Sequence, residues 1–257
     1  MKKIISWVII LGLINIILLV LGYIFFIPRK KLKIKKSEFL KIIKNQSPYI
    51  LIIIGVAIFH LIEVNIIEPH LIGNDYTDII RNFEGDIVYW FSQYWTDALV
   101  YFFVIMYIAV YPFTLWFSPL YFLLTNNLKA MKTFAYGLFL IYIIALPFYL
   151  FLPITNVYTY YNLNSALENT IPSVEGFFYS TTTINNCLPS LHTAMTILIA
   201  YSVSLTNNRK LTYFSYFTAI TIIISVIYLS IHWITDVITG VILSLGIIII
   251  LRKILKE

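Results

Sequence analysis

The sequence predicts an all-α fold, a polytopic membrane bundle of about seven transmembrane helices. Hydrophobic residues make up 60% of the chain and charged residues 12%, whereas a soluble domain carries about 25% charged residues. The mean hydropathy is +0.86. The apolar residues fall into seven segments, and one helical crossing of a bilayer needs about 20 residues. In chain order the expected spans are Ile4–Ile27, Pro48–Ile67, Ala98–Leu124, Thr133–Leu152, Leu188–Leu205, Leu211–Leu229 and Trp233–Leu251.

The first span has some features of a cleaved signal peptide, because Lys2 and Lys3 precede an apolar run. That run exceeds twenty residues, lacks a small-x-small cleavage site, and ends in basic residues from Arg29 onward. We therefore expect a retained transmembrane helix. The single cysteine, Cys187, excludes an intramolecular disulfide and is expected to be a small apolar filler.

Basic residues are concentrated on one side of the expected bundle. Eight of them lie between Arg29 and Lys44, and 15 of the 18 basic residues fall on that side. The other side carries Lys2, Lys3 and Arg81 against ten acidic residues. Since Lys and Arg stay in the cytoplasm, we expect a cell-membrane protein with its N-terminus outside and its C-terminus cytoplasmic. The formal charge of +6 therefore reflects two opposed faces of a protein in a lipid bilayer, and no nucleic-acid partner is expected.

Two long outer loops are expected. The first, residues 68–97, mixes acidic and aromatic side chains and suits a helix at the membrane interface. The second, residues 153–187, has no basic residue and is expected to cap a site. Near the first loop, His60 is expected to pair with Glu63 or Glu68.

Two short polar clusters interrupt the apolar sequence. One runs from Pro189 to His192, and the other runs from His232 to Asp236, forty positions after the first histidine. A central Asp in a membrane segment costs about 2.5–3.5 kcal/mol on insertion scales, so its presence indicates function. Forty residues make one helix into the membrane and one back, which places both clusters at the same, extracytoplasmic face. Two histidines and an aspartate at one boundary predict a catalytic site.

His232 and Asp236 lie four residues apart, on one face of a helix, where their side chains can touch. A carboxylate bonded to one ring nitrogen fixes the tautomer and leaves the other nitrogen free to attack. Gly240 continues that face, and its missing side chain permits close helix packing. The alternative is a buried His–Asp pair that only satisfies its own hydrogen bonds.

Pro189 and Ser190 suit the first turn of a helix, whose free amides form an anion site, particularly for phosphate. His192 would then stand beside the bound group and give a proton to a departing oxygen. The alternative is a proline-started helix with an incidental histidine. A metal site formed by His192, His232 and Asp236 is also conceivable, although Pro189 and Ser190 would have no purpose in it.

These runs, Pro189 to His192 and Ser225 to Gly240, resemble the type 2 phosphatidic acid phosphatase superfamily. The leucine before His192 and the aromatic residue after His232 are similar to its inositol phosphorylceramide synthase-like branch and to related archaeal and bacterial membrane proteins. The resemblance covers roughly the last three helices by motif, and the remainder only by helix count and hydropathy. It implies a six-helix core, so the first helix is expected to be an addition.

The resemblance also implies a phosphohistidine mechanism. His232 would attack phosphorus, Asp236 would orient and stabilise that histidine, and His192 would protonate the leaving oxygen. Ser190 and Ser225 would contact the phosphate, and neither a metal nor a cofactor is implied. Water, or another alcohol, would then release the phosphoryl group.

Two departures from the superfamily pattern remove expected cations. The first motif, a Lys with Arg-Pro seven residues later, is absent, and Val226 stands where an Arg usually follows the leading Ser. Arg81 is the one basic residue expected on the catalytic side besides those at the N-terminus, and guanidinium groups bind phosphate through two parallel hydrogen bonds. We therefore expect Arg81 to fold over the site. The alternative is an ion pair with Asp78 or Glu84.

Taken together, these features predict a membrane phosphatase that acts on a lipid phosphate or diphosphate from the outer face. The runner-up is a transferase that passes phosphoryl or a phospho-headgroup to an alcohol, and a third reading is a non-catalytic transporter or scaffold. The chain is expected to form one membrane domain, 1–257, with a catalytic core in 48–251 and the extra helix and basic loop in 1–47. Its oligomeric state is not predicted.

Overall fold

A computed structural model describes residues 2–29, 35–71, 73–171, 174–175 and 182–255. Two of the long helices contain a five-residue π-helical turn, at Glu63–Ile67 and at Met106–Val110. The elements in chain order are α1 (Lys2–Phe26), α2 (Lys36–Ile62, continuing through its π turn into Glu68–Leu71), α3 (Thr77–Glu84), α4 (Ile87–Ser92), α5 (Asp97–Ile105, continuing through its π turn into Tyr111–Leu124), α6 (Leu128–Phe151), α7 (Val157–Tyr160), α8 (Ala166–Thr170), α9 (Leu191–Ser204), α10 (Arg209–Tyr228) and α11 (Ile234–Ile254).

The all-α membrane fold is confirmed. Within the described ranges there is no β-strand, only an isolated bridge between Ile154 and Asn186. Six of the described helices are long and apolar enough to cross a membrane, which makes this a multi-pass membrane protein; they are α1, α2, α5, α6, α10 and α11. The remaining apolar helix, α9, has only 14 residues and is about 21 Å long, less than the roughly 30 Å of a bilayer core.

The beginning of α9 explains why it is shorter than the expected span from Leu188. Ser190 is the N-cap, and its side-chain oxygen accepts a hydrogen bond from the backbone N–H of Thr193. Pro189 therefore lies just before the cap, and its predicted place inside the first turn is wrong. The backbone before the cap forms the loop that carries Asn186 and Cys187 to the site.

Helix α2 begins earlier than the sequence predicts, at Lys36 instead of Pro48. Pro48 lies inside the helix, and the polar residues between Lys36 and Pro48 are also helical. The helix therefore extends beyond the apolar span on its N-terminal side. The preceding basic loop is only partly described, because Lys30, Lys31 and Lys33 lie outside the described residues.

The centre of the bundle is the short helix α9, which packs against α10, α11, α6 and the second half of α5. Large apolar side chains at these contacts are fully buried, among them Phe122, Phe134 and Leu198. Helix α1 lies at the periphery against α5, and most of its described side chains are exposed. In a bilayer such outward apolar residues face lipid, and they include Ile16, Phe25, Ile242 and Ile254.

Candidate active site

The second predicted cluster forms at the start of α11. A tight turn follows α10, in which the Val226 carbonyl accepts hydrogen bonds from the N–H groups of Ile231 and His232 at 2.9 and 3.0 Å. Asp236 is fully buried, and one of its oxygens accepts from His232 Nδ1 at 3.3 Å and from Trp233 N–H at 2.9 Å. The predicted contact between His232 and Asp236 is thus present. With Nδ1 engaged, Nε2 is the nitrogen left to react.

Trp233 fixes the turn that carries His232. Its indole is fully buried, and Nε1–H donates to the Thr155 carbonyl at 2.8 Å. The Thr155 hydroxyl in turn donates to Asp75 at 2.7 Å, and the Thr77 hydroxyl also donates to that carboxylate. The two long loops, residues 68–97 and 153–187, are therefore hydrogen-bonded to one another directly beside His232.

The first predicted cluster lies against the second. Ser190 N–H donates to the Asp236 carbonyl at 2.9 Å, which joins the start of α9 to the first turn of α11. This approach requires Gly240, since a Cβ there would lie 2.6 Å from the Ser190 carbonyl oxygen and 3.1 Å from Thr193 Cβ. The close helix packing predicted at Gly240 is confirmed. It brings the rings of His192 and His232 to a centroid distance of 5.9 Å.

Two tyrosines from α5 hold the ring of His192. Tyr107 lies 4.8 Å and Tyr111 5.1 Å from it, measured between ring centroids, and the Tyr111 hydroxyl donates to Met195 Sδ at 3.3 Å. Tyr107 belongs to the π turn of α5, and Tyr111 follows it directly. Sequence reasoning did not find these residues, because the chain contains 20 Tyr and 19 Phe and no local pattern marks these two.

His192 also lines a cavity of about 450 Å³ that is otherwise mostly apolar. Its walls come from α1, α2, α5, α6 and α9, with Leu11, Val56, Trp116 and Leu138 among the apolar residues. The volume lies within the usual range for small-molecule and cofactor sites, about 300–1,000 Å³. None of its described lining residues is Lys or Arg.

Glu84, the last residue of α3, binds the start of α11. Its carboxylate accepts from the N–H groups of Ile234 and Thr235 at 3.1 and 2.9 Å, and from the Thr235 hydroxyl at 2.9 Å. A carboxylate is favoured there because the first amides of a helix lack partners and the helix dipole attracts negative charge. The first of the two long loops thus contacts the start of α11 through Glu84, an acid that the sequence suggested only as a partner of Arg81.

Arg81 lies one turn before Glu84 on α3 and pairs with another acid. Its Nε donates to Asp86 at 3.1 Å, and both side chains are partly exposed. The Tyr161 hydroxyl donates to the same carboxylate at 2.5 Å, and this bond together with Arg81 holds the pKa of Asp86 below its usual value. Asp78, expected as an alternative partner, accepts from Tyr160 instead. Arg81 is not among the residues that line the cavity beside His192.

Ser225 lies in the last full turn of α10 and is fully buried. Its hydroxyl donates to the Ile222 carbonyl of its own helix at 2.8 Å. The neighbouring Val226 carbonyl, and not the serine side chain, holds the backbone of His232.

Cys187 is buried, as expected, and lies beside His232 and Asp236. Its sulfur and one ligand atom each of His232 and Asp236 all lie within 4.8 Å of one another, a set that could hold a metal ion. The other Asp236 oxygen, Oδ1, is buried without a hydrogen-bond partner. The sequence suggested a different set, with His192 in place of Cys187.

Residues 147–257 match the family model of the PAP2 superfamily. The matched part is less than half of the chain, and it contains Ser190, His192, His232 and Asp236. No curated protein and no solved structure matches the chain. The similarity indicates a phosphatase-type phosphoester hydrolase or phosphotransferase, while the inositol phosphorylceramide synthase-like branch remains a prediction.

Proposed function

We propose that this protein is a membrane lipid phosphatase that hydrolyses a lipid phosphate or diphosphate through a phosphohistidine intermediate. The observation that carries the proposal is the direct bond between the two clusters, from Ser190 N–H to the Asp236 carbonyl at 2.9 Å. It places the rings of His192 and His232 5.9 Å apart, close enough for both to reach one phosphoryl group. An attacking nitrogen and a proton donor on opposite sides of that group are what phosphoryl transfer requires.

In the first half-reaction, His232 Nε2 attacks phosphorus while the bond to the lipid oxygen breaks. Protonated His192 gives its proton to that departing oxygen, so the lipid leaves as its alcohol from a monophosphate, or as the lipid monophosphate from a diphosphate. Asp236 keeps the other ring nitrogen of His232 hydrogen-bonded and stabilises the positive charge on the ring. Proton transfer of this kind typically contributes about 10²–10⁴-fold to a rate.

In the second half-reaction, water attacks the phosphohistidine. Neutral His192 takes a proton from the water as its oxygen bonds to phosphorus, and the bond between phosphorus and His232 breaks. Phosphate leaves, and both histidines return to their starting protonation states. The same step with an alcohol in place of water would make the protein a phosphotransferase.

The phosphate would bind at the beginning of α9, where Ser190 and the first amides lie. Arg81 is proposed to contribute after exchanging Asp86 for a phosphate oxygen. Ser225, whose hydroxyl is bonded within α10, is proposed to contact the phosphate only after it gives up that bond. The lipid tail would occupy the apolar cavity, into which His192 projects from the wall.

The proposed site faces the extracytoplasmic side, with the N-terminus outside and the C-terminus in the cytoplasm. The distribution of basic residues supports this orientation, since 15 of the 18 lie on the opposite side of the predicted topology. The catalytic core would comprise residues 48–251. A non-catalytic scaffold is a poorer account, because it gives no reason to bury an ionisable pair beside a second histidine.

Phosphate release from a panel of lipid phosphates and diphosphates tests this function, with purified protein in EDTA and without added alcohol. We expect release by the wild type and a loss of at least about 10³-fold in His232→Ala, the scale of removing a covalent nucleophile. His70→Ala, an exposed histidine at the end of α2, is the matched control and should stay active.

Each of the other outcomes of this assay supports a different mechanism. Equal release by wild type and His232→Ala would refute the phosphohistidine mechanism. Loss of wild-type activity in EDTA would favour a metal bound by Cys187, His232 and Asp236. Activity that needs an added alcohol would identify the transferase.

A further inference from the structure

Helices α3 and α4 carry a group of exposed apolar side chains that we call the α3–α4 patch: Ile79, Phe83, Ile87, Trp90 and Phe91. Phe83 is 83% exposed and Trp90 is 59% exposed. Ile79 and Phe83 lie four residues apart on α3, and the three members on α4 have the i, i+3, i+4 spacing of one helix face. Single exposed apolar residues are common on protein surfaces, but a group of this size marks an interaction surface.

The other faces of α3 and α4 are fixed to the end of the bundle where α10 ends and α11 begins. Val88 is fully buried, and Glu84 accepts hydrogen bonds from the first two N–H groups of α11. Just after α4, Trp95 Nε1–H donates to the carbonyl of Tyr228, the last residue of α10, at 2.6 Å. Turning the patch inward would break these contacts, so the patch stays on the surface.

The place of these contacts puts the patch at the level of a membrane boundary. Both α10 and α11 are long and apolar enough to span a bilayer, and α3 and α4 pack where one span ends and the next begins. Exposed apolar residues follow on both spans, Ile224 four residues before the end of α10 and Ile238 four residues after the start of α11. Trp and other aromatic residues are enriched at this boundary, and short amphipathic helices lie in it with their apolar face about 5–10 Å deep.

The charges of α3 and α4 indicate which lipid surface suits the patch. Residues 77–92 contain three acids, Asp78, Glu84 and Asp86, and one basic residue, Arg81, so their formal charge is 1 − 3 = −2. Anionic headgroups attract basic segments and give an acidic one no such attraction. Contact with a bilayer would therefore depend on the apolar side chains, and a zwitterionic surface is sufficient.

We propose that the α3–α4 patch is an interfacial anchor, which inserts into the zwitterionic lipid interface at this end of the bundle and thereby holds Glu84 against the first turn of α11. Phe83 and Glu84 are neighbours in one helix of eight residues, so the depth of Phe83 in the lipid fixes the position of the Glu84 carboxylate. His232 lies two residues before α11, and the bilayer thus helps to position the backbone beside it. The anchor does not depend on the proposed function.

The first test places an environment-sensitive fluorophore on Phe83→Cys, with Asn82→Cys as the matched control. Asn82 and Asp78, one turn earlier, are exposed polar residues of the same helix. Cys187 is the single native cysteine and is buried, and labelling of the unmutated protein measures its background. In phosphatidylcholine vesicles we expect the label at position 83 to be quenched by nitroxide-bearing acyl chains and to lose quenching by iodide, and the label at position 82 to show the reverse.

The second test measures hydrogen exchange of the Ile234 and Thr235 amides, which donate to Glu84, in the same vesicles. We expect Phe83→Gln to exchange these amides on the order of tenfold faster than Asn82→Gln, the scale of removing one aromatic side chain from an apolar environment. Phe83 is mostly exposed to the surroundings of the protein, so its substitution removes little packing within the fold.

Equal access of iodide to the two labels in vesicles overturns the anchor. Shielding of the label at position 83 from both quenchers identifies a protein partner, such as a second copy of this chain, and overturns the lipid assignment. Equal amide exchange in Phe83→Gln and Asn82→Gln overturns the link from the patch to Glu84. Deeper insertion on adding anionic lipid contradicts the charge argument, whereas unchanged quenching supports it. Neither readout requires turnover, so both decide the anchor even if the phosphatase proposal fails.

Discussion

The substitution Gly240→Ala tests the packing that joins the two polar clusters of the proposed site. The added Cβ would lie 2.6 Å from the Ser190 carbonyl oxygen, whereas real Cβ contacts essentially never fall below 3.0 Å. Two backbone segments meet there, so no flexible side chain can move aside. The beginning of α9 must shift relative to α11 by on the order of half an ångström, and overpacking of this kind costs about 1–3 kcal/mol.

Gly246→Ala is the matched control, because it lies on the same helix and an added Cβ there meets nothing within 4 Å. Both substitutions gain about 1 kcal/mol of helix propensity. The difference between the two variants therefore isolates the overlap at Ser190, and we expect Gly240→Ala to be less stable by about 1–3 kcal/mol. Thermal unfolding in detergent measures this difference.

Activity should fall more than stability suggests. The shift separates His192 from His232, and a misplacement of 1 Å can cost about 10²-fold in rate, so half that shift predicts roughly a tenfold lower kcat. Phosphate release at 25 °C, where both variants remain folded, is the assay. If Gly240→Ala matched Gly246→Ala in both stability and kcat, the close approach of α9 and α11 would not position the site, and the reasoning would be refuted.

Two further predictions concern α3. Glu84→Gln should lower the stability of the protein by about 0.5–2 kcal/mol and reduce kcat, because an amide cannot accept from the three donors of Ile234 and Thr235 as well as the carboxylate does. Thermal unfolding measures the first effect and phosphate release the second. An unchanged kcat would limit Glu84 to a structural role. Arg81→Ala should raise KM with little change in stability, since its pair with Asp86 is solvent-exposed, and unchanged kinetics would exclude the proposed phosphate contact. The pKa of Asp86 in the folded protein lies below its usual value of about 3.9. The stabilisation by this pair is therefore present above that pH and is lost as the pH falls below it. The difference in unfolding free energy between wild type and Arg81→Ala should thus be constant from about pH 6 to 8.

Local patterns predicted the parts of this molecule that depend on spacing along one helix. The contact of His232 with Asp236 follows from a separation of four residues, and the apolar spans follow from hydropathy. Gly240 was predictable for the same reason, as a small residue on the face that already carried the reactive pair. These inferences need no knowledge of which helices are neighbours.

Long-range and irregular features were not predictable in this way. Glu84 reaches Thr235 across 151 positions, and no local pattern identifies the partner of a loop carboxylate. The predicted partners of Arg81, Asp78 and Glu84, were wrong. Gly85, with φ of +69°, ends α3 and turns the chain, so that Asp86 comes within hydrogen-bond distance of Arg81. The π turns also escape a search for a 3.6-residue period, since one extra residue changes the face on which the following side chains lie.

The charges around the cavity determine how easily the site could neutralise the charge of a bound phosphate. Arg81 is paired with Asp86, and none of the described residues that line the cavity is Lys or Arg. A phosphate monoester carries about −1.5 to −2 charges at pH 7, whereas a phosphodiester carries one. With the start of α9 as the main positive group beside His192, neutralising a dianion in this low-dielectric site is harder than neutralising a monoanion. A phosphate monoester as substrate would therefore need Arg81 to leave Asp86 and meet the phosphate, which is the contact that Arg81→Ala tests.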